Sequence, residues 1–230
     1  MRRLLRTATV LVALLPLLAL APVSAQAATP LLVTRLKGVG DARQVISVTN
    51  TSWSSSYATV QAFEKSANGS WRRVFGPWTA RIGRNGFGQD KREGDGQSPV
   101  GAFPVRGMFG VNANPGTHWG WLRVNRTDVW VDDPGSRAYN LHMRLPANGR
   151  WRSAESMYQP RAYAYAAVIG YNTATRTPGR GSAIFFHVTT GSATAGCVSL
   201  PASQLVPVLK WLGESTRPRF VLGPESAVTS

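Results

Sequence analysis

The sequence predicts a strand-rich α+β domain, mainly β with few short helices, and three observations carry that prediction. Short runs rich in Val, Thr, Trp, Tyr and Phe alternate with clusters of Gly, Pro, Asn and Ser, the punctuation of strands joined by turns. Only one segment has a convincing helical period: Leu205, Val208, Leu209 and Leu212 fall at i, i+3, i+4 and i+7, and Gly213 stands where a helix should stop. The single cysteine, Cys197, cannot form an intramolecular disulfide, so the fold must rest on its apolar core.

At the N-terminus, Arg2, Arg3 and Arg6 precede the apolar run "VLVALLPLLALAPV" and the small residues "SAQAA". This is the three-part pattern of a secretory signal peptide, residues 1–28, with cleavage between about 25 and 28. Pro16 and Pro22 interrupt a run already short of the roughly 20 apolar residues a spanning helix needs, so no stable membrane anchor is expected after cleavage. Residues 29–230, about 200 in number, read as one domain working outside the cytoplasm, secreted or held at the cell wall or in the periplasm.

Within that domain "YATVQAFEK", the turn "SANG" and "SWRRVFGPWTARIG" form a predicted hairpin. "HWGWLRVN" and "DVWVDDPGS" follow, and a turn at Asp133-Pro134-Gly135 accounts for Asp132 and Asp133 without a catalytic carboxylate pair. "YAYAAVIGYN" and "SAIFFHV" are two further strands, and "RFVLG" returns as a last one.

Lys and Arg number 26 against 11 Asp and Glu, a formal charge of +15 that falls to +12 once the three signal arginines are removed. That balance favours polyanionic surroundings. No zinc-finger spacing, basic helix or base-stacking motif supports nucleic acid as the partner. Anionic wall polymers or phospholipid headgroups suit an exported chain, and a merely solvated basic surface is the alternative. His118 and His142 lack ligand spacing and no His-Glu-x-x-His segment exists, so no metal is expected and both read as structural or surface residues.

The chemistry lies in "HVTTGSATAGCVSLP". Period-two alternation places Ile184, Phe186 and Val188 on one strand face and Ala183, Phe185 and His187 on the other. The small-residue loop "TTGSATAG" then returns the chain to Cys197, so a strand end and a helix approach can converge. An unperturbed thiol with a pKa of about 8.5 is only about 3 % thiolate at pH 7, so a useful nucleophile needs a base or a lowered pKa. A nearby imidazole supplies one and can later pass the proton to a leaving amine. Gly196 leaves room for a carbonyl against the main chain, where the Gly196 and Cys197 amides could face an oxyanion, worth roughly 3 kcal/mol per donor. Taken alone, a single cysteine reads equally as a packed small side chain, and a strand-end histidine as a hydrogen-bonded core residue. Tyr171, Asn172 and Thr194 are candidates for lining the site.

These residues also carry a resemblance. "GSAIFFHVTTGSATAGCVSLP" resembles the active-site motif of the bacterial L,D-transpeptidase (YkuD-like) catalytic domain family, and "KREGDGQSPVGAFPV" is similar to its Thr-Pro-x-Gly-x-Phe segment, through Ser98, Pro99, Gly101 and Phe103. "DDPGSRAYN" and "YAYAAVIGYN" resemble segments of the branch whose cysteine motif reads Ala-Gly-Cys-Val, and the likeness runs from about Val60 to Leu222. The resemblance implies a β-sandwich of mixed sheets with few short helices, one near the C-terminus. It implies Cys197 as the acylated nucleophile, His187 as general base and then acid, and Gly196 in the oxyanion region. Cys197 would attack the third residue of a peptidoglycan stem peptide and expel D-alanine. An amine of another stem would then give a 3→3 cross-link, or water would give carboxypeptidase activity, with no metal or organic cofactor. The sequence departs from the commoner motif at Ala195, where a His is usual, at Ser199, where an Arg is frequent, and in a shorter spacer. Those departures also admit a non-catalytic, basic wall-binding module on the same fold.

Overall fold

A computed structural model describes residues 30–230, so the expected signal peptide and its cleavage point lie outside the described residues. The first three strands, β1 (Gln44–Asn50), β2 (Tyr57–Lys65) and β3 (Trp71–Arg81), form an antiparallel meander. The predicted hairpin is there: Lys65 faces Trp71, and the Asn68 carboxamide accepts from Ser66 Oγ and from the Ser70 amide inside the turn. Two short parallel strands, β4 (Phe87–Gly88) and β5 (Ser98–Pro99), lead to the long β6 (Gly101–Gly110) and to β7 (Trp121–Arg123).

A separate small sheet follows, with β8 (Asp128–Val131) between β9 (His142–Arg144) and β10 (Ala154–Ser156). The chain returns to the main sheet with β11 (Ala166–Ile169), β12 (Phe185–Val188) and β13 (Val198–Leu200). It then forms the helix α1 (Ala202–Trp211), the strand β14 (Arg219–Pro224) and the short helix α2 (Glu225–Val228). The helix ends one residue earlier than the Gly213 signal suggests, because Leu212 is already extended. Among the described residues no helix is long and apolar enough to cross a membrane.

The nine-stranded sheet runs β11-β12-β13-β3-β2-β1-β14-β6-β7, and β11 also pairs with β6, so the sheet closes on itself. It is mixed: β14 lies parallel to β1 and antiparallel to β6, and β12 lies parallel to β13. The expectation of a mainly β fold with few short helices, one near the C-terminus, is therefore met, and the expected β-sandwich of mixed sheets takes the form of one mixed main sheet closed on itself. After Arg219, "FVLG" is continuously apolar because β14 is central, paired on both edges and buried.

Of four buried apolar clusters, two meet at β12 and β13. Ile184, Phe186, Val198 and Leu200 join Ile46, Phe220, the α1 residues Leu205, Val208 and Leu209, and Leu212 just past the helix, in the larger core. Ala183, Phe185 and Cys197 belong to a second cluster with Phe109, Trp130, Met157 and Tyr163. Phe185 is its hub, meeting Phe109, Trp130 and Tyr163 edge-on at centroid distances of 5.0, 5.1 and 5.5 Å. The alternation read along "SAIFFHV" thus separates one core from the other.

Candidate active site

β12 and β13 run side by side with Phe186 opposite Val198 and His187 opposite Ser199. Since Val198 and Leu200 enter the larger core, alternation turns Cys197 and Ser199 toward the face that carries His187. His187 and Cys197 accordingly line one cavity of about 380 Å³, together with Lys91, Glu93, Asp132, Glu155, Tyr163, Thr194, Gly196 and Ser199. Each of the pair keeps only 7 % of its surface exposed.

The loop before Cys197 is held from the upstream motif. Ser98 Oγ, fully buried, donates to the Gly196 carbonyl at 2.7 Å, lies 3.3 Å from the Cys197 carbonyl, and accepts the Gly83 amide at 2.9 Å. Thr194 Oγ1 donates to the same Cys197 carbonyl at 2.7 Å and accepts the Gly196 amide at 3.1 Å. Gly196 has a φ of +150°, and a Cβ there would stand 2.8 Å from the Gln97 carbonyl oxygen. A side chain is excluded both by conformation and by space. Of the two amides expected at an oxyanion, that of Gly196 is engaged by Thr194, while the Cys197 amide has no partner among the described residues.

Burial sets the protonation of the pair. His187 Nδ1 lies 2.9 Å from the Val188 carbonyl. A carbonyl only accepts, so Nδ1 carries the proton and Nε2 the lone pair. Desolvation brings the imidazole pKa down to about 4, against smaller opposing effects of the Val188 and Ala162 carbonyls. Cys197 moves the other way, pushed up to about 12 by burial and then by the Glu155 carboxylate, with the Phe185 amide, Lys91 and Tyr163 opposing. The lowered thiol pKa expected from a neighbouring base is therefore reversed: at neutral pH the resting pair is thiol and neutral imidazole. Cys197 Sγ donates to the Ala183 carbonyl and accepts from the Phe185 amide, both at 3.3 Å, and makes no hydrogen bond to His187.

Of the predicted lining residues, Thr194 reaches the cavity and Tyr171 and Asn172 do not. The strand they were expected to end stops at Ile169. Tyr171 instead packs edge-on against Phe103 at 5.4 Å and donates to the Arg180 carbonyl, while Asn172, at φ +51°, ties its own loop to Thr177 and Gly181. His142 is structural, 2.8 Å from Oδ1 of the buried Asp128, and His118 is exposed. The turn reading holds for Asp133, which accepts the Gly135 and Arg152 amides. Asp132, one residue earlier, lines the cavity.

Other cavity residues carried no signal at the sequence level. Lys91, 3 % exposed, donates to Asp95 Oδ1 at 2.7 Å and to the Arg92 carbonyl at 3.0 Å. It opens the segment "KREGDGQSPVGAFPV" that also holds Ser98 and Pro99. Tyr163 meets the His187 ring edge-on at 5.3 Å and donates its hydroxyl to Glu155. Glu155 also accepts from Gln159 at 3.1 Å, and burial raises its pKa above the ordinary carboxyl value.

Neither a curated protein nor a solved structure matches this chain. The L,D-transpeptidase catalytic domain family (YkuD) matches residues 67–221, well over half of its length, and the chain belongs to that family.

Proposed function

We propose that residues 29–230 form an exported cysteine acyltransferase of the Ala-Gly-Cys-Val branch, acting on peptidoglycan stem peptides. The observation that carries this reading is the meeting of the only thiol with a histidine of fixed tautomer on one cavity wall, beside a glycine that no other residue can replace.

In this reading Cys197 Sγ attacks the carbonyl carbon of the third stem residue. The thiol proton passes to His187 Nε2, and the bond to the terminal D-alanine breaks as that proton is given to the leaving amine. A thioester remains on Cys197. An amine of a second stem attacks it, its proton returns through His187 to the sulfur, and a 3→3 cross-link is released. Water in place of the amine gives the L,D-carboxypeptidase outcome. Because the resting thiol is neutral, proton transfer accompanies attack rather than preceding it. The free Cys197 amide is the stronger oxyanion donor of the two expected. No cofactor enters the reaction, and the excess of basic residues suits anionic wall polymers as surroundings.

The Sγ contact with Ala183, together with Ala195 and Ser199, favours a second reading: a non-catalytic wall-binding module. Incubation with a carbapenem and measurement of intact mass separates the two. The acyltransferase gains one adduct that disappears in Cys197→Ala, and an unmodified wild-type chain overturns the proposal.

A further inference from the structure

The chain carries a large excess of cationic side chains, yet the cavity that holds Cys197 is lined by three carboxylates, Glu93, Asp132 and Glu155, and one lysine. The lysine is already committed to Asp95, which lies outside the lining. Among the described residues none of the three carboxylates is ion-paired, whereas Asp41, Glu64, Asp90, Asp95 and Asp128 all are.

Glu93 is occupied by the Tyr139 and Ser182 hydroxyls, and Glu155 by Tyr163 and Gln159. Asp132 differs. Its Oδ1 is buried and bonds to nothing among the described residues. The small sheet explains why it stands beside Glu155. Glu155 lies across from Trp130 in the antiparallel register, and Asp132 is two residues beyond Trp130, so all three side chains leave the same face.

A second observation is independent of the acids. Ser199 is 1 % exposed, its Oγ has no hydrogen-bond partner, and the alternation of β13 aims it into the same cavity, opposite His187. A buried hydroxyl and a buried carboxylate oxygen, both unmet, mark a volume that expects a ligand with donors. Two carboxylates on one face select a cationic donor over a neutral one.

We infer that Asp132 and Glu155 form an ammonium subsite of the Cys197 cavity, with Ser199 as an additional polar contact, so that the substrate group taken there is a primary amine in its protonated form. As the place where an acceptor amine docks, this rests on the acyl-transfer reading above; as an ammonium site it stands without it. It favours an amine over water as the group that resolves the acyl-enzyme.

The test is calorimetric titration of the full chain with Nα-acetyl-lysine methylamide and with the same molecule acetylated on its side-chain amine. The wild type binds the ammonium form more tightly by about tenfold or more. Asp132→Asn, of equal size, brings the ratio close to one, and Glu155→Gln reduces it, with thermal unfolding confirming that both variants fold. A wild-type ratio near one, or a ratio unchanged in folded Asp132→Asn, overturns the inference. D-alanine release from a tetrapeptide stem is followed in parallel. Selective binding without release sinks the acyl-transfer reading and leaves the subsite standing, and release without selectivity does the reverse.

Discussion

The two faces of β12 and of β13 with the Cys197 that precedes it differ in kind. On one face Phe186, Val198 and Leu200 are sealed in the larger core. On the other, His187, Cys197 and Ser199 sit against a cavity with a displaced imidazole pKa, a displaced thiol pKa and an unmet hydroxyl. The first face meets only packed side chains, whereas on the second a packed ring, Phe185, stands two residues from the cavity-lining His187. A rigid sheet makes this possible, because packing on one side fixes the backbone that presents groups on the other.

The largest expected effect tests that division directly. Phe186→Ala removes a fully buried ring from the larger core, and it is expected to lower unfolding free energy by about 3–5 kcal/mol in chemical denaturation. Carbapenem acylation by the molecules that remain folded should stay within a factor of about two, since the ring lies on the face away from the cavity. A stability loss under about 1 kcal/mol, or an equal collapse of the acylation rate, would show that the two faces are not separable.

The cavity face should reveal itself through pH. His187 has a pKa near 4 in the folded chain against 6.5 for the free side chain, so between those values the unfolded state binds more protons and stability rises with pH. The contribution is complete above about pH 6.5 and is lost as pH falls toward 4, a change of about 3 kcal/mol. Glu155, raised by burial, works with the opposite sign, so the measurement must be a difference. Over that window the wild type should lose more stability on acidification than His187→Gln; parallel curves would mean that the histidine is not held neutral by burial.

What the sequence made legible was whatever depended on local pattern. The β2–β3 hairpin, the helix over Ala202–Trp211 and the alternation in "SAIFFHV" all follow from periods of two or 3.6 with turn residues between them. His187 and Cys197 were legible as a pair because the loop between them is short and β12 and β13 are neighbours. Asp132, Glu155 and Tyr163 were not, since a separate sheet and a distant turn carry them to the cavity and no local period records that packing. Tyr171 and Asn172 were misplaced for a related reason: an apolar run continued past Ile169 although the strand did not. Tyr171 still packs against the larger core, so its apolar character is explained without the strand.

Ser98 links the two faces and carries the smallest expected effect. Its hydroxyl joins the chain after Arg81 to the loop before Cys197 through Gly83, Gly196 and Cys197, across 98 positions of sequence. Ser98→Ala leaves the Gly83 amide and the Gly196 carbonyl without that partner inside a buried site, expected to cost about 1–3 kcal/mol. The second carbonyl it touches, that of Cys197, keeps its bond from Thr194, so the loop should loosen rather than detach. Ser98→Thr restores the hydroxyl and with it part of the loss, the added methyl at a fully buried position holding back the rest. Carbapenem acylation of Ser98→Ala, measured under conditions where the chain remains folded, should slow more than that of Phe186→Ala although its stability loss is smaller. The reverse order would mean that the cysteine loop holds its shape without the upstream motif, and that the division between a packing face and a reacting face has no anchor at Ser98.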